Sequence, residues 1–308
     1  MTLLTPQDVH HQLEQHQSFH KAELSCIDLQ NSCLDRARFS EAYLRSANLA
    51  GASCRDSNFR KATLNKAVLA TADLMGANLT ATKLNLANLT RACLESVQAK
   101  RAVFYGAVLD GAMCRDADFT QADLRQAQGQ AADFTAAQLL KAQLGASVLN
   151  QSQFTRANLR KANLESAILT DTQWHESNLE WANFCRADLT GADFHNADLI
   201  AANFRATNLS LVQLVNVEAI EANFAQAILL DTNLSHSCLF SANFEGAYFT
   251  RVQLMGANLR QANLENTVWE EVDFAGVQVQ GAIFANAQGL TSAQKETLRA
   301  QGALNVPQ

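Results

Sequence analysis

The sequence predicts an all-β solenoid, in which short extended segments wind into coils that stack along one axis. Three observations carry this. The fifth-residue series from Leu24 to Phe284 has 53 positions, and Leu or Phe fills 45 of them with no slip in register. The exceptions are Cys54, Ala99, Cys114, Gly129, Trp174, Ala219, Trp269 and Val279. Two residues before each of these centres stands Ala, Ser, Thr, Val or Ile, with Ala in 35 of the 53 places. Fifteen of the sixteen Phe residues, counting Phe19, fall in the large-residue register.

A period of five matches neither the 3.6 of a helix nor the 2.0 of an ordinary strand, so the repeat itself must set the fold. Its unit reads A-[N/D]-L-x-x, as in Ala47-Asn48-Leu49-Ala50-Gly51 and Ala192-Asp193-Phe194-His195-Asn196. One bulky and one small side chain point inward per unit, and three residues face outward. The small residue leaves room at a tight corner while the large one fills the middle. Four units close a square coil, and coils stack by backbone hydrogen bonds at roughly 4.8 Å. Ladders of Leu and Phe then form a narrow, solid core with no lumen.

These units resemble the pentapeptide-repeat family, and the resemblance covers about residues 22–287. It implies a right-handed quadrilateral β-helix with four repeats per coil, hence about 13 coils and a rod on the order of 60 Å long. The unbroken repeats and terminal segments are most similar to cyanobacterial members, for which the resemblance implies regulatory or assembly roles.

Taken in order, the chain is expected to carry an N-terminal helical cap over 1–21, the β-helix over 22–287 and a C-terminal helical cap over 288–308. Solenoid ends expose core and edge and need covers. Thr5-Pro6-Gln7-Asp8 reads as a helix start, with Thr as N-cap and Pro at N1, and the helix should run to roughly Gln17. Thr291-Ser292-Ala293-Gln294 has capping-box form, and Gly302 can end the second helix. Leu290, Leu298 and Leu304 should cover the last coil or join a second copy, so a homodimer through the C-terminal cap is an expectation.

Two prolines and thirteen glycines leave no flexible linker, and a net charge of −6 fits a mildly acidic protein. Residues 1–20 lack a basic leader with an apolar run, and no stretch of 18 apolar residues occurs. The seven cysteines are dispersed with no pair 20 apart and no CxxC, which fits a reducing compartment. A cytoplasmic location is expected, with no membrane association.

Positions 20 apart should lie one above another. On that register Phe184, Phe204, Phe224 and Phe244 form one inward stack, and Phe134, Phe154, Trp174 and Phe194 another. The Asn or Asp that recurs just before the centres, as at Asn48, Asn58, Asn203 and Asp198, is best read as bonding to nearby backbone in turns. His175 and His195 should be outward neighbours, with Glu176 and Glu180 close in sequence; too few ligands converge for a zinc site, and they are read as a solvated pair. Catalytic, cofactor and metal residues are therefore assigned as none. No P-loop, dinucleotide fingerprint, nucleophile elbow or zinc motif occurs, and a solid core offers no pocket, so an enzyme is not expected.

Two surface features remain. Residues 36–101 hold eleven Lys/Arg against four Asp/Glu, a net of +7, whereas 162–250 hold eleven acids against Arg186 and Arg205, a net of −9. Ile200, Ile220 and Phe240 fall on one outward ladder, with Glu180, Asp198, Glu218 and Glu221 around them. A contiguous apolar patch with a polar rim is the mark of an interaction site. The expected function is a non-enzymatic protein–protein interaction or assembly scaffold. The alternative is a DNA-mimicking modulator of DNA gyrase or topoisomerase, implied by family members that protect gyrase and supported by the acidic stretch. Direct nucleic-acid binding is disfavoured, because the basic residues are scattered and lack outward aromatic partners.

Overall fold

One inward bulky side chain and one inward small side chain per five residues oblige the backbone to turn a corner at each repeat. The computed structural model describes residues 4–308, and the chain divides into two compact units, Met1–Ala157 and Asn158–Gln308. In both, isolated parallel bridges link positions 20 residues apart, such as Asn48↔Val68 in the first unit and Asp198↔Glu218 in the second. Four corners per 20-residue turn make each coil four-sided. Regular strands are confined to one face of the second unit, where β1 (Ile228–Leu230), β2 (Tyr248–Thr250) and β3 (Val268–Glu270) pair in parallel, in that order.

The motif A-[N/D]-L-x-x follows from accounting for every backbone donor. In the repeat 48–52, Leu49 N donates to Val68 O (2.7 Å) and Gly51 N to Ala70 O (2.9 Å) in the next coil. Asn48 N donates back to Ile27 O (2.9 Å), and Ala52 N closes the corner on Leu49 O (3.0 Å). The one donor left over, Ala50 N, goes to Asn48 Oδ1 at 3.2 Å. Where the residue before the centre is Asn or Asp, its side chain serves the one N–H that the coil geometry leaves without a backbone acceptor.

Each corner places its second residue in the left-handed region. Every position of the series from Lys21 to Asn286 has φ between about 50° and 75°, and nine of these are glycine. The others, including Thr71 and Trp181, hold a side chain where L-residues are disfavoured by about 1–2 kcal/mol. Lateral bonds such as Cys26 N to Arg45 O (2.8 Å) and Trp181 N to Ile200 O (3.0 Å) hold them there.

The core is the ladder set expected from the register. In the first unit Phe19, Phe39 and Phe59 stack at 5.1 and 5.0 Å, and Phe134 on Phe154 at 5.1 Å. In the second, Phe184, Phe204, Phe224 and Phe244 stack at 4.9, 5.0 and 4.8 Å, and Trp174 on Phe194 at 5.5 Å. Most inward hydroxyls at the small positions are satisfied by backbone carbonyls, the exception among the described residues being the buried Ser147 Oγ, which has no hydrogen-bond partner. Thr267 Oγ1 donates to Leu264 O (2.7 Å) and accepts the indole N–H of Trp269 (2.8 Å). Where Gly129 vacates a centre, Leu149 Cδ2 lies 2.8 Å from where a Cβ would stand, so the neighbouring coil fills the gap without a bend being required. Cys54 and Cys114 are fully buried, and burial pushes both thiols well up; all seven cysteines are free.

Helix α1 (Pro6–Glu14) has a complete capping box: Thr5 Oγ1 accepts from Asp8 N at 3.2 Å, and Asp8 Oδ2 accepts from Thr5 N at 2.8 Å. It ends three residues before the expected Gln17, because His16 adopts φ 53° and closes a Schellman motif. Its bonds are His16 N to Leu13 O (2.9 Å) and Gln17 N to Gln12 O (2.9 Å). Val9 is buried, and His10 Nε2 meets Ser32 Oγ at 3.0 Å. Helix α2 (Ser292–Ala300) starts on the Thr291–Gln294 capping box and ends in the same motif, with Gly302 at φ 85°. Leu290 and Leu298 are buried; Leu304 instead pairs its backbone with Ala282 and Phe284 and leaves its side chain 51% exposed. Among the described residues no helix is long and apolar enough to cross a membrane.

Candidate functional site

The residues singled out from the sequence lie on one corner of the second unit. In the repeat 198–202, Leu199 N donates to Glu218 O (2.7 Å), Ala201 N to Ile220 O (2.9 Å) and Ala202 N to Leu199 O (2.9 Å). Asp198 Oδ1 takes the remaining donor, Ile200 N, at 3.1 Å. This fixes Ile200 just past the centre, and the same geometry places Ile220 and Phe240 at the equivalent position of the following coils. All three are half-buried rather than fully open, and the Arg260 guanidinium lies 5.9 Å from the Phe240 ring centroid. At the other end of the ladder Glu180 pairs with Arg160 at 2.8 Å. The apolar stripe is therefore bounded by a charge at each end.

The rim is acidic and crowded. Asp198 is flanked by Glu218 in the next coil through the paired backbone, and Glu221 is exposed one residue after Ile220. Burial pushes the Asp198 carboxyl up, helped by the charges of Glu180 and Glu218 and opposed by the Ile200 N–H. Trp181 was not singled out from the sequence, yet it stands on the same corner, 55% exposed and in the left-handed conformation. Its indole is exposed at a corner position that disfavours a side chain, as are the side chains of Leu86 and Leu211, a signal visible only once the corner register is known.

A second constellation forms on the same unit. His175 Nε2 lies 2.9 Å from Asp193 Oδ2, and His195 Nδ1 approaches Asp193 Oδ1 closely. The two rings stand edge to face at 5.9 Å. Burial alone would raise the Asp193 carboxyl, but hydrogen bonds from both imidazoles and from His195 N hold it below the usual range. The sequence places the two histidines together but supplies the wrong acids. Glu180 is held by Arg160, and Glu176 sits exposed in the next corner position. The signal that finds Asp193 is a diagonal spacing of 18, from just after one centre to just before the centre in the coil above. It recurs in Arg55–Asp73, Lys100–Asp118 and Arg115–Asp133.

The family model described as pentapeptide repeats matches in eight copies, at residues 22–53, 52–91, 87–126, 112–151, 132–172, 177–216, 220–252 and 253–287. No curated protein matches the chain. Among solved structures, it is similar to HetL, a pentapeptide repeat protein involved in heterocyst differentiation regulation from Nostoc sp. strain PCC 7120, at 28% identity over 70% of this chain and 90% of that one, with a TM-score of 0.41. It is also similar to QnrB1, a plasmid-mediated fluoroquinolone resistance protein, at 18% identity over 70% and 98%, with a TM-score of 0.37. Rfr23 from the cyanobacterium Cyanothece 51142 matches at 20% identity over 39% and 89%, with a TM-score of 0.17. The eight matched copies span nearly all of the repeat region, and the fold of this family is the right-handed quadrilateral β-helix. The chain belongs to the pentapeptide-repeat family.

Proposed function

We propose that this protein is a non-enzymatic interaction scaffold that presents the Trp181–Ile200–Ile220–Phe240 corner to a partner protein. The observation that carries this reading is the corner itself. An exposed tryptophan in a disfavoured backbone conformation adjoins three half-buried apolar side chains. Glu218 and Glu221 lie beside them, with the crowded Asp198. Aromatic anchors surrounded by a polar rim dominate protein interfaces. The acidic rim calls for a partner surface with an apolar centre edged by Lys and Arg. Seven free cysteines support a reducing, cytoplasmic setting. The helices α1 and α2 act as covers for the two ends, and the exposed Leu304 supports self-association through residues 288–308 as a lesser contact.

Affinity capture with the wild type beside the Ile200→Ser, Ile220→Ser, Phe240→Ser triple variant tests this. A basic-surfaced protein retained by the wild type and lost from the variant, then reconstituted from purified components, is the expected result. Identical partners on both baits would remove the corner from the mechanism. The second reading, mimicry of duplex DNA toward gyrase, draws on the net of −9 over residues 162–250 and is opposed by the +7 over 36–101. Inhibition or protection of gyrase supercoiling at micromolar protein would favour it over the scaffold.

A further inference from the structure

We infer that His175, Asp193 and His195 form a binding site for a divalent transition-metal ion of the zinc class. The three side chains come from adjacent coils, His175 from one and Asp193 with His195 from the next. One ligand atom from each lies within 4.8 Å of the others. Zinc with nitrogen and oxygen ligands at about 2.0–2.2 Å needs donor atoms roughly 3.4 Å apart in a tetrahedral arrangement. The His175 Nε2 to Asp193 Oδ2 distance of 2.9 Å is already near that value. The remaining adjustment is a turn of the imidazoles, which are 40% and 38% exposed and free to make it.

The donor set decides which ion fits. Two imidazoles and one carboxylate suit zinc, cobalt or nickel, whereas magnesium and calcium require all-oxygen shells. Asp193 is a pre-oriented ligand, since its Oδ1 is fixed by the His195 N–H at 3.0 Å. The positions not filled by protein open to solvent, so water or a donor from a partner completes the shell. Because the ligands straddle two coils, the bound ion is a staple across the parallel backbone pairing of Gln173 with Asp193. The alternative is an imidazole–carboxylate–imidazole chain held by protons alone, which offers no saturable metal affinity.

The test is calorimetric titration of the full chain with zinc chloride at about pH 7.5. Cys26 and Cys33, which are exposed, are changed to Ser in every sample so that they do not compete. The expected result is one equivalent of zinc bound in the micromolar range, with magnesium silent. His175→Ala combined with His195→Ala should weaken binding at least 100-fold. Asp193→Asn, which keeps the acceptor for the His195 N–H, should weaken it about tenfold. Melting curves in chelator verify that each variant folds as the parent does, and zinc should raise the melting midpoint of the parent but not of the double variant. Unchanged zinc binding in the double variant would place the ion elsewhere, for instance on His10, His11, His16 or His20, and overturn the assignment. So would the absence of saturable binding by the parent up to about 1 mM, the affinity expected of scattered surface groups.

Discussion

Asp198 is asked to do two things that oppose each other. Its Oδ1 accepts the Ile200 N–H at 3.1 Å and so completes the corner. Its charge stands between Glu180 and Glu218 in a half-buried setting that pushes the carboxyl up. With the folded pKa above the ordinary 3.8, the native chain binds more protons than the unfolded chain between those two values. Stability therefore falls as pH rises through that window, and the cost is fully present at neutral pH. Asp198→Asn keeps the acceptor and removes the charge. It should stabilise the protein at pH 7 by about 0.5 kcal/mol, a figure kept small because the site is partly solvated. Near pH 3 the two proteins should unfold together. Urea midpoints at both pH values measure this, and an equal midpoint at pH 7 would show that the crowding has no energetic consequence. A partner bringing Lys or Arg to this rim would relieve the same repulsion, which ties the strain at one residue to the proposed interface.

At the scale of the repeat, the residue before the centre does more than close its own corner. Asn163, Asn183, Asn203, Asn223, Asn243 and Asn263 form a continuous side-chain ladder, the Nδ2 of each from Asn183 onward donating to the Oδ1 one coil below at 2.9–3.4 Å. Each Oδ1 also accepts the N–H two residues on, as Asn203 does from Arg205 at 3.2 Å. Asn203→Ala removes both roles and leaves the Arg205 donor without its partner, so a loss of about 1–2 kcal/mol is expected. Asn203→Asp keeps the turn acceptor but gives up the donor to Asn183, and should lose less. Thermal melts of the two variants separate turn from ladder: identical melts would assign the loss to the ladder, and an Asn203→Asp melt equal to the wild type would assign it to the turn. The period, the inward register and the vertical stacks were legible in the sequence because they repeat at fixed intervals of 5 and 20. The left-handed corner was not, since only nine glycines mark it and any residue from Thr71 to Trp181 stands there. Nor was the early end of α1, where His16 takes a conformation usually left to glycine. The His175–Asp193–His195 cluster was half legible: the spacing of 20 gave the histidines, while the diagonal of 18 that brings the carboxylate depends on how one coil is offset from the next.

Across the whole molecule, stability in a β-helix is a sum of local terms, because each coil touches only its neighbours. Uneven cores should then melt unevenly. The first unit contains Cys54, Ala99, Cys114 and Gly129 at positions built for Leu or Phe, whereas the second has only Ala219 and Val279 reduced in size. Each small centre forgoes part of the roughly 1.5–3 kcal/mol that burying a large apolar side chain contributes, even where a neighbour such as Leu149 leans into the gap. The second unit adds the four-ring stack from Phe184 to Phe244. All three tryptophans, Trp174, Trp181 and Trp269, belong to that unit. Tryptophan fluorescence therefore reports the second unit alone, while far-ultraviolet circular dichroism reports both. In urea, the dichroism should begin to fall at lower denaturant than the fluorescence, with separate midpoints for the two probes. Restoring bulk at two centres of the first unit, Cys54→Leu and Ala99→Leu, should draw the midpoints together if the neighbouring coils accept the added volume, and overpacking would instead widen the gap. Coincident transitions in the wild type would mean that coupling between successive coils exceeds the difference in their cores, and that the chain unfolds as one cooperative body.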